Sequence, residues 1–385
     1  MHLFIVLGTR PEAIKLAPLV LAAQKNPKFR VTVCNTGQHA DMCASVLELF
    51  GITPQIDLGV MRPEQTLTEL TTSVLEAMRQ LLQKEHPDWV LVQGDTTSAF
   101  AASLAAFYEK IPVAHVEAGL RTGDIYSPWP EEMNRKLITN LARLHFAPLL
   151  SNAENLRREG VNADRIVVTG NTGVDALKWL VHRLGEDSNL RQRAQAALDA
   201  TGVSCLKEGA GARIVLITAH RRESFGSGFE AICEAIVELA TQFPDRQFVY
   251  PVHPNPMVRG TVFKNLREGG LTNVHLIEPL DYLPFVLLMS GAELILTDSG
   301  GIQEEAPSLG SRVVVMRAIT ERGEGIDTGL IRLAGANRDR IVAHAMEALT
   351  GKWILGREGR DVYGDGRASE RVLAAFLSGS ARPSA

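Results

Sequence analysis

The chain has 385 residues, 45% hydrophobic and 22% charged, with a formal net charge of −4. That length exceeds what one hydrophobic core usually serves, so two domains are expected, and the slightly acidic balance argues against a general nucleic-acid binder. No apolar run approaches the roughly 20 residues of a membrane span, and Cys34, Cys43, Cys205 and Cys233 show no Cys-x-x-Cys spacing, which points to a reducing cytoplasm.

The N-terminus, Met1-His2-Leu3-Phe4-Ile5-Val6-Leu7, lacks a basic leader and reads as a first strand. From there short apolar runs alternate with longer amphipathic segments, the pattern of βα units on a parallel sheet. In the first half the expected strands are Leu3–Leu7, Val31–Cys34, Trp89–Gln93, Val113–Val116, His145–Phe146 and Ile166–Thr169. In the second half they are Ile214–Thr218, Phe248–Val252, Val274–Ile277, Leu294–Thr297, Val313–Met316 and Ile331–Leu333. Residues 183–211 are polar and glycine-containing and read as a linker carrying one helix, Leu190–Asp199. The expected organisation is therefore a Rossmann-like domain over 1–182, the linker, and a second Rossmann-like domain over 212–365. The tail beyond about Arg382 is expected to be disordered.

Nearly every expected strand runs directly into a polar or glycine-rich cluster, where open α/β sheets bind their ligands. Two such sheets imply a cleft between domains. Gly8-Thr9-Arg10-Pro11-Glu12-Ala13-Ile14-Lys15 reads as strand, glycine turn and a helix opened by proline. Arg10 and Lys15 there suit an anion, because cations at a helix start otherwise oppose its dipole. Asp95 and Glu117 end buried strands, and Glu131-Glu132 opens a helix with Arg135 one turn on. Carboxylates from separate elements suit proton abstraction and return. A structural reading stands beside this, in which Asp95 caps a helix and Glu131 pairs with Arg135.

In the second half His220, followed by Arg221 and Arg222, ends a strand and points to an anion. His115 reads as a buried strand residue. Asp298-Ser299-Gly300-Gly301-Ile302-Gln303-Glu304-Glu305 is a strand end, a glycine turn and a helix start. The helix N-terminus suits phosphate and the glutamates suit ribose hydroxyls; a tight turn with solvated glutamates fits the same letters equally well. Gly226-Ser227-Gly228-Phe229-Glu230-Ala231 spells a dinucleotide fingerprint but does not directly follow a strand, so it reads as a loop entering a helix. With no short-spaced His/Cys cluster and no Asp-x-Asp, no required metal or other cofactor is expected.

Taken together, the Gly8–Lys15 stretch, Gly94-Asp95-Thr96-Thr97, His115–Gly123, Pro130–Arg135, His220–Gly226 and Asp298–Pro307 resemble the non-hydrolysing UDP-N-acetylglucosamine 2-epimerases, in family order along nearly the whole chain. The resemblance implies a GT-B-like fold whose last helix, 366–381 here, packs back on the first domain, and a cytoplasmic homodimer. It implies reversible conversion of UDP-N-acetylglucosamine to UDP-N-acetylmannosamine, by loss of UDP to 2-acetamidoglucal and re-addition, supplying cell-surface polysaccharide. By position, Asp95, Glu117 and Glu131 are the acid/base candidates and His220 contacts the UDP side. Arg10, Lys15, Ser299 and Gly300 would hold phosphate, Glu305 the ribose and Phe285 the uracil, with Arg322 and Arg135 as further substrate contacts. Gln38, Arg221 and His253 match a second, regulatory UDP-N-acetylglucosamine site of bacterial members. A GT-B glycosyltransferase, a hydrolysing epimerase and a non-catalytic UDP-sugar sensor are the alternatives; three carboxylates in the first half favour proton traffic.

Overall fold

A computed structural model describes residues 1–38, 40–62, 64–207, 209–221, 225–267, 270–320, 322–354 and 359–378. Of the stretches singled out above, Arg222, Glu223, Ser224 and the tail beyond Arg382 lie outside the described residues. The chain divides into two compact units: Met1–Ala176 with Gly364–Ala385, and Leu177–Tyr363.

The first unit runs β1 (His2–Leu7), α1 (Arg10–Gln24), β2 (Arg30–Asn35), α2 (Ala40–Leu49), β3 (Ile56–Asp57), α3 (Leu67–Glu85), β4 (Trp89–Gln93), α4 (Thr97–Tyr108), β5 (Val113–Val116), α5 (Glu131–Leu141), β6 (Leu144–Ala147), α6 (Leu150–Arg158) and β7 (Ile166–Val168), and reaches into α7 (Thr172–Glu186). Among the described residues its sheet has seven strands in the order β3-β2-β1-β4-β5-β6-β7, all pairings parallel. Every residue of β1, β4, β5 and β6 is buried, as expected for strands with helices on both faces. This is why continuous apolar runs, not alternation, marked them.

The second unit continues with α8 (Ser188–Asp199), β8 (Arg213–Thr218), α9 (Ser227–Gln242), β9 (Arg246–Pro251), α10 (Pro256–Arg267), β10 (Val274–Ile277), α11 (Tyr282–Ser290), β11 (Ala292–Thr297), α12 (Gly300–Ser308), β12 (Arg312–Val315), α13 (Glu324–Asp327), β13 (Ile331–Leu333) and α14 (Arg338–Leu349). Its described strands form a six-stranded parallel sheet, β10-β9-β8-β11-β12-β13. In both sheets the strand order reverses beside the first strand of the unit, between β1 and β4 and between β8 and β11. Those reversals open a crevice at the strands' carboxyl ends.

The stretch 183–211 holds the end of α7, all of α8 and a short turn at Ser204–Leu206. Leu190, Ala194 and Leu198 bury one face of α8, which packs on α11. The helix α15 (Ala368–Leu377) belongs to the first unit and packs on α1. Phe376 sets its ring edge-on against Trp89 and Phe146, at 5.3 and 5.6 Å between centroids. Asp175 caps the helix, accepting from Ala368 N at 3.1 Å and Ser369 N at 2.7 Å. At 226–228 the letters of the dinucleotide fingerprint form the start of α9, with Gly226 as N-cap at φ 80°.

Candidate active site

In the first unit the charged residues at the tips of β1, β4 and β5 form one connected set. Arg135 reaches from α5 to Asp95, with Nε at 2.8 Å and Nη2 at 2.7 Å from Oδ2. Its Nη1 donates to Glu132 at 3.0 Å. Burial works against the Arg135 charge, but Asp95 and Glu132 outweigh it and raise its pKa. Glu132 is fully buried and also accepts from Thr122 N and Gly123 N. The backbone of Asp95 is fixed as well: Asn134 Nδ2 donates to its carbonyl at 2.9 Å. Asp95 is not the cap of α4; that position belongs to Thr96, whose hydroxyl accepts from Ala99 N. The ion-pair partner of Arg135 on its own helix is Glu132, not Glu131.

Glu117 sits at the tip of β5 with φ 64°, a left-handed backbone that a non-glycine residue adopts at some cost and that concentrates at functional positions. Lys15 Nζ and Gln93 Nε2 take one carboxylate oxygen each. Both side chains of the Lys15–Glu117 pair are largely buried, at 15% and 10% exposed. Glu131 opens α5, and its Oε2 is buried and, among the described residues, without a hydrogen-bond partner. Beneath these groups His115 is fully buried and neutral: burial pushes its pKa down to about 4, and its Nε2–H donates to Gly94 O at 2.7 Å. That bond holds the Gly94 turn, at φ 71°, which aims Asp95.

At the start of α1 the N–H groups of Gly8 and Thr9 go to Glu12, at 2.9 and 2.7 Å. Thr96 Oγ1 also donates to Glu12, at 2.6 Å, tying the β1 tip to the β4 tip. Burial raises the pKa of Glu12 despite these bonds. Arg10 is the first helical residue and is half-buried. Gln38 accepts from Ser98 Oγ at 2.7 Å beside the same turn.

In the second unit the tips of β8 and β11 carry His220 and Asp298-Ser299-Gly300. Ser299 is the N-cap of α12 and Gly300 its first residue, so the helix presents its N-terminal N–H groups there. The Arg322 guanidinium lies directly over Gly300: a Cβ at that position would stand 2.8 Å from its central carbon. Arg322 Nε donates to Glu304 Oε1 at 2.6 Å, and both side chains are about nine-tenths buried. The two glutamates of the stretch thus separate, Glu304 pairing with Arg322 and Glu305 lying half-buried one residue on. Phe285 is half-buried in α11. His220 stacks on His253 with ring centroids 5.2 Å apart. Arg221 Nε is buried and, among the described residues, without a hydrogen-bond partner.

Three residues have no role of their own in the sequence reading: Gln93, Glu132 and Asp298. Gln93 carried a signal, as the one polar residue in the apolar run Trp89–Gln93. Among the described residues no group of three or more His, Cys, Asp or Glu side chains is gathered as a metal site. No helix among them is long and apolar enough to cross a membrane.

Two parallel-sheet units with charged clusters at their topological switch points define a GT-B-like α/β protein. The chain is 51% identical to the UDP-N-acetylglucosamine 2-epimerase of Salmonella typhimurium over 380 residues, 98% of this chain and 99% of that one. It is 50% identical to the enzyme of that name from Escherichia coli strain K12, with 98% of each chain covered. The crystal structure of UDP-GlcNAc 2-epimerase from Neisseria meningitidis bound to UDP-GlcNAc matches with a TM-score of 0.89 at 44% identity, over 98% of this chain and 100% of that one. The UDP-N-acetylglucosamine 2-epimerase family profile covers residues 21–377. The chain belongs to this family of isomerases.

Proposed function

We propose that this chain interconverts UDP-N-acetylglucosamine and UDP-N-acetylmannosamine without hydrolysis. The observation that carries the reading is the pair of cation-held carboxylates on adjacent strand tips, Asp95 on Arg135 and Glu117 on Lys15, with Glu131, whose Oε2 has no hydrogen-bond partner among the described residues, as a third group. A carboxylate within reach of the sugar is the group that can remove a proton and return it.

The proton on carbon 2 of the sugar is weakly acidic. It leaves only as the carbon 1–oxygen bond to UDP breaks, giving 2-acetamidoglucal and UDP, with the proton on a carboxylate. UDP then re-adds to carbon 1, and a carboxyl group returns a proton to the opposite face of carbon 2. Asp95, Glu117 and Glu131 make up the acid/base set. The departing diphosphate carries the developing charge, so its stabilisation is the main electrostatic task. In this reading Arg10 and Lys15 of the first unit serve it, as do Ser299, Gly300 and Arg322 of the second, with His220 on the UDP side. Arg135 contacts the sugar through its place beside Asp95, Glu305 takes the ribose and Phe285 the uracil.

Proton NMR with UDP-N-acetylglucosamine in deuterium oxide, without added metal or NAD, tests the reaction. UDP-N-acetylmannosamine carrying deuterium at carbon 2 is expected. Unchanged substrate, or sugar transferred to an acceptor without exchange, contradicts it. A cytoplasmic homodimer is part of the same proposal. The buried thiols of Cys34, Cys43 and Cys233, their pKa pushed up to about 12 by burial, suit a reducing compartment. Sedimentation of the purified protein checks the dimer. A second UDP-N-acetylglucosamine site using Gln38, Arg221 and His253 completes the proposal; hyperbolic kinetics unchanged in Gln38→Ala and His253→Ala would remove it.

A further inference from the structure

Asp298 has no exposed surface at all, and the chain around it is closely tied. Its N–H donates to Thr218 O at 3.0 Å, and the Thr218 and Thr297 hydroxyls share a hydrogen bond of 2.7 Å. Tyr250, buried behind them, donates its hydroxyl to Ala219 O at 2.7 Å. Into this frame Asp298 projects a carboxylate whose two oxygens do different things. Oδ2 accepts from the backbone N–H groups of His220 and Arg221, at 2.7 and 2.8 Å. Oδ1 is buried, makes no hydrogen bond among the described residues, and lies 3.3 Å from Nδ1 of the His220 imidazole.

Capping two backbone N–H groups does not require a charge; the carbonyl of an asparagine accepts as well. A fully buried carboxylate with one oxygen unbonded is costly unless a counter-charge stands within reach. The imidazole is such a group, and a small turn about its χ2 converts the 3.3 Å approach into an Nδ1–H···Oδ1 bond. We propose that Asp298 is the positioning residue of His220: Oδ2 fixes the loop that carries the histidine, and Oδ1 keeps Nδ1 protonated, so that Nε2 is the atom presented to the leaving diphosphate. The proposal rests on the epimerase reading for the role of His220. Among the described residues the other titratable groups near this pair are His253, stacked on the imidazole, and Tyr250, coupled to the Asp298 carboxylate; Arg221 is next in the chain.

An opposite charge at this distance favours the imidazolium over the neutral ring. In Asp298→Asn the amide oxygen still serves the two N–H groups while the charge is gone. The His220 titration, followed by NMR of nitrogen-15-labelled histidine in the full chain, is expected to move down by about one unit or more, and the Nδ1–H tautomer to lose its dominance. In kinetics, kcat is expected to fall about tenfold or more, with KM within about threefold, and the acidic limb of the pH profile to follow the NMR shift. In a His220→Gln background the same substitution is expected to add little, because the two residues act as one unit.

An unshifted His220 titration in Asp298→Asn overturns the proposal, as does a further full-size loss of kcat in the His220→Gln background, which would mark Asp298 as merely structural. Should the wild-type protein fail to epimerise while the imidazole titration still shifts, the fault lies with the epimerase reading and the Asp298–His220 contact stands.

Discussion

Gly300→Ala is the sharpest test of how the second unit is built. On helix propensity alone the substitution should stabilise, since alanine exceeds glycine by up to ~1 kcal/mol in a helix. The structure opposes this. The added Cβ would stand 2.8–2.9 Å from three atoms of the Arg322 guanidinium, closer than van der Waals contact permits. The guanidinium cannot swing away freely, because it is bonded to Glu304 at 2.6 Å and the backbone carbonyl of Arg322 accepts from Tyr363 Oη at 2.9 Å. Moving it sacrifices a charge-assisted bond worth about 1.5–3 kcal/mol. The net expectation is a loss of about 1–2 kcal/mol, or roughly 2–8 °C in the transition of a unit this size. Calorimetric UDP affinity should fall about tenfold if Arg322 contacts the nucleotide. Gly301→Ala is the control: a Cβ there meets open space, so the melting temperature should hold or rise. A Gly300→Ala protein as stable as the wild type, binding UDP equally well, would refute the close approach of Arg322 as the reason for this glycine.

Asp95→Asn and Glu117→Gln are expected to bind UDP normally and lose turnover; full activity in either removes that residue from the acid/base set. Arg10→Ala should weaken UDP binding, and an unchanged calorimetric affinity contradicts its phosphate role. His115 and His145 are held neutral by burial, which lowers their pKa to about 4 and about 3; once His115 is protonated, its repulsion further opposes protonation of His145. The unfolded chain protonates both near 6.5, so their neutral burial is cost-free above that pH and destabilises progressively as pH falls toward the folded values. At pH 5.5 the penalty is about 1.4 kcal/mol per histidine; His145→Asn should flatten the fall in urea midpoint between pH 7.5 and 5.5 relative to wild type. Asp175→Ala strands the N–H groups of Ala368 and Ser369 and should loosen α15 by about 1–3 kcal/mol, visible as faster amide exchange confined to 368–377.

The sheets were legible because parallel strands buried on both faces are uninterrupted apolar runs, and the site because polar clusters follow those runs at one end only. What escaped reading had physical causes. The strand β3 is two residues long and half-exposed, too short to show a period. The stretch 183–211 read as a linker with one helix, and that helix is α8, which buries only Leu190, Ala194 and Leu198 in a polar background. Lys15 read as a cation awaiting an anion at a helix start, without its partner Glu117, which lies 102 residues away; only the placing of β1, β4 and β5 side by side brings the two together. The neighbours Glu131 and Glu132 are indistinguishable as letters; the phase of α5 alone decides that Glu132 is the buried partner of Arg135.

Asp298 is the clearest such case, because β8 and β11 are adjacent in the sheet while His220 and Asp298 stand 78 residues apart in the chain. The proposed acid/base and anion groups Asp95, Glu117 and His220 sit at strand tips, where motif and position coincide. A residue that holds such a group is buried and is defined by sheet order or helix phase, which the linear pattern does not carry. Gln93 behind Glu117, Glu132 behind Arg135 and Asp298 behind His220 are all of this second kind. Each joins elements that are not neighbours in sequence or fixes a phase that letters leave open, and each leaves a buried polar side chain that only its partner explains.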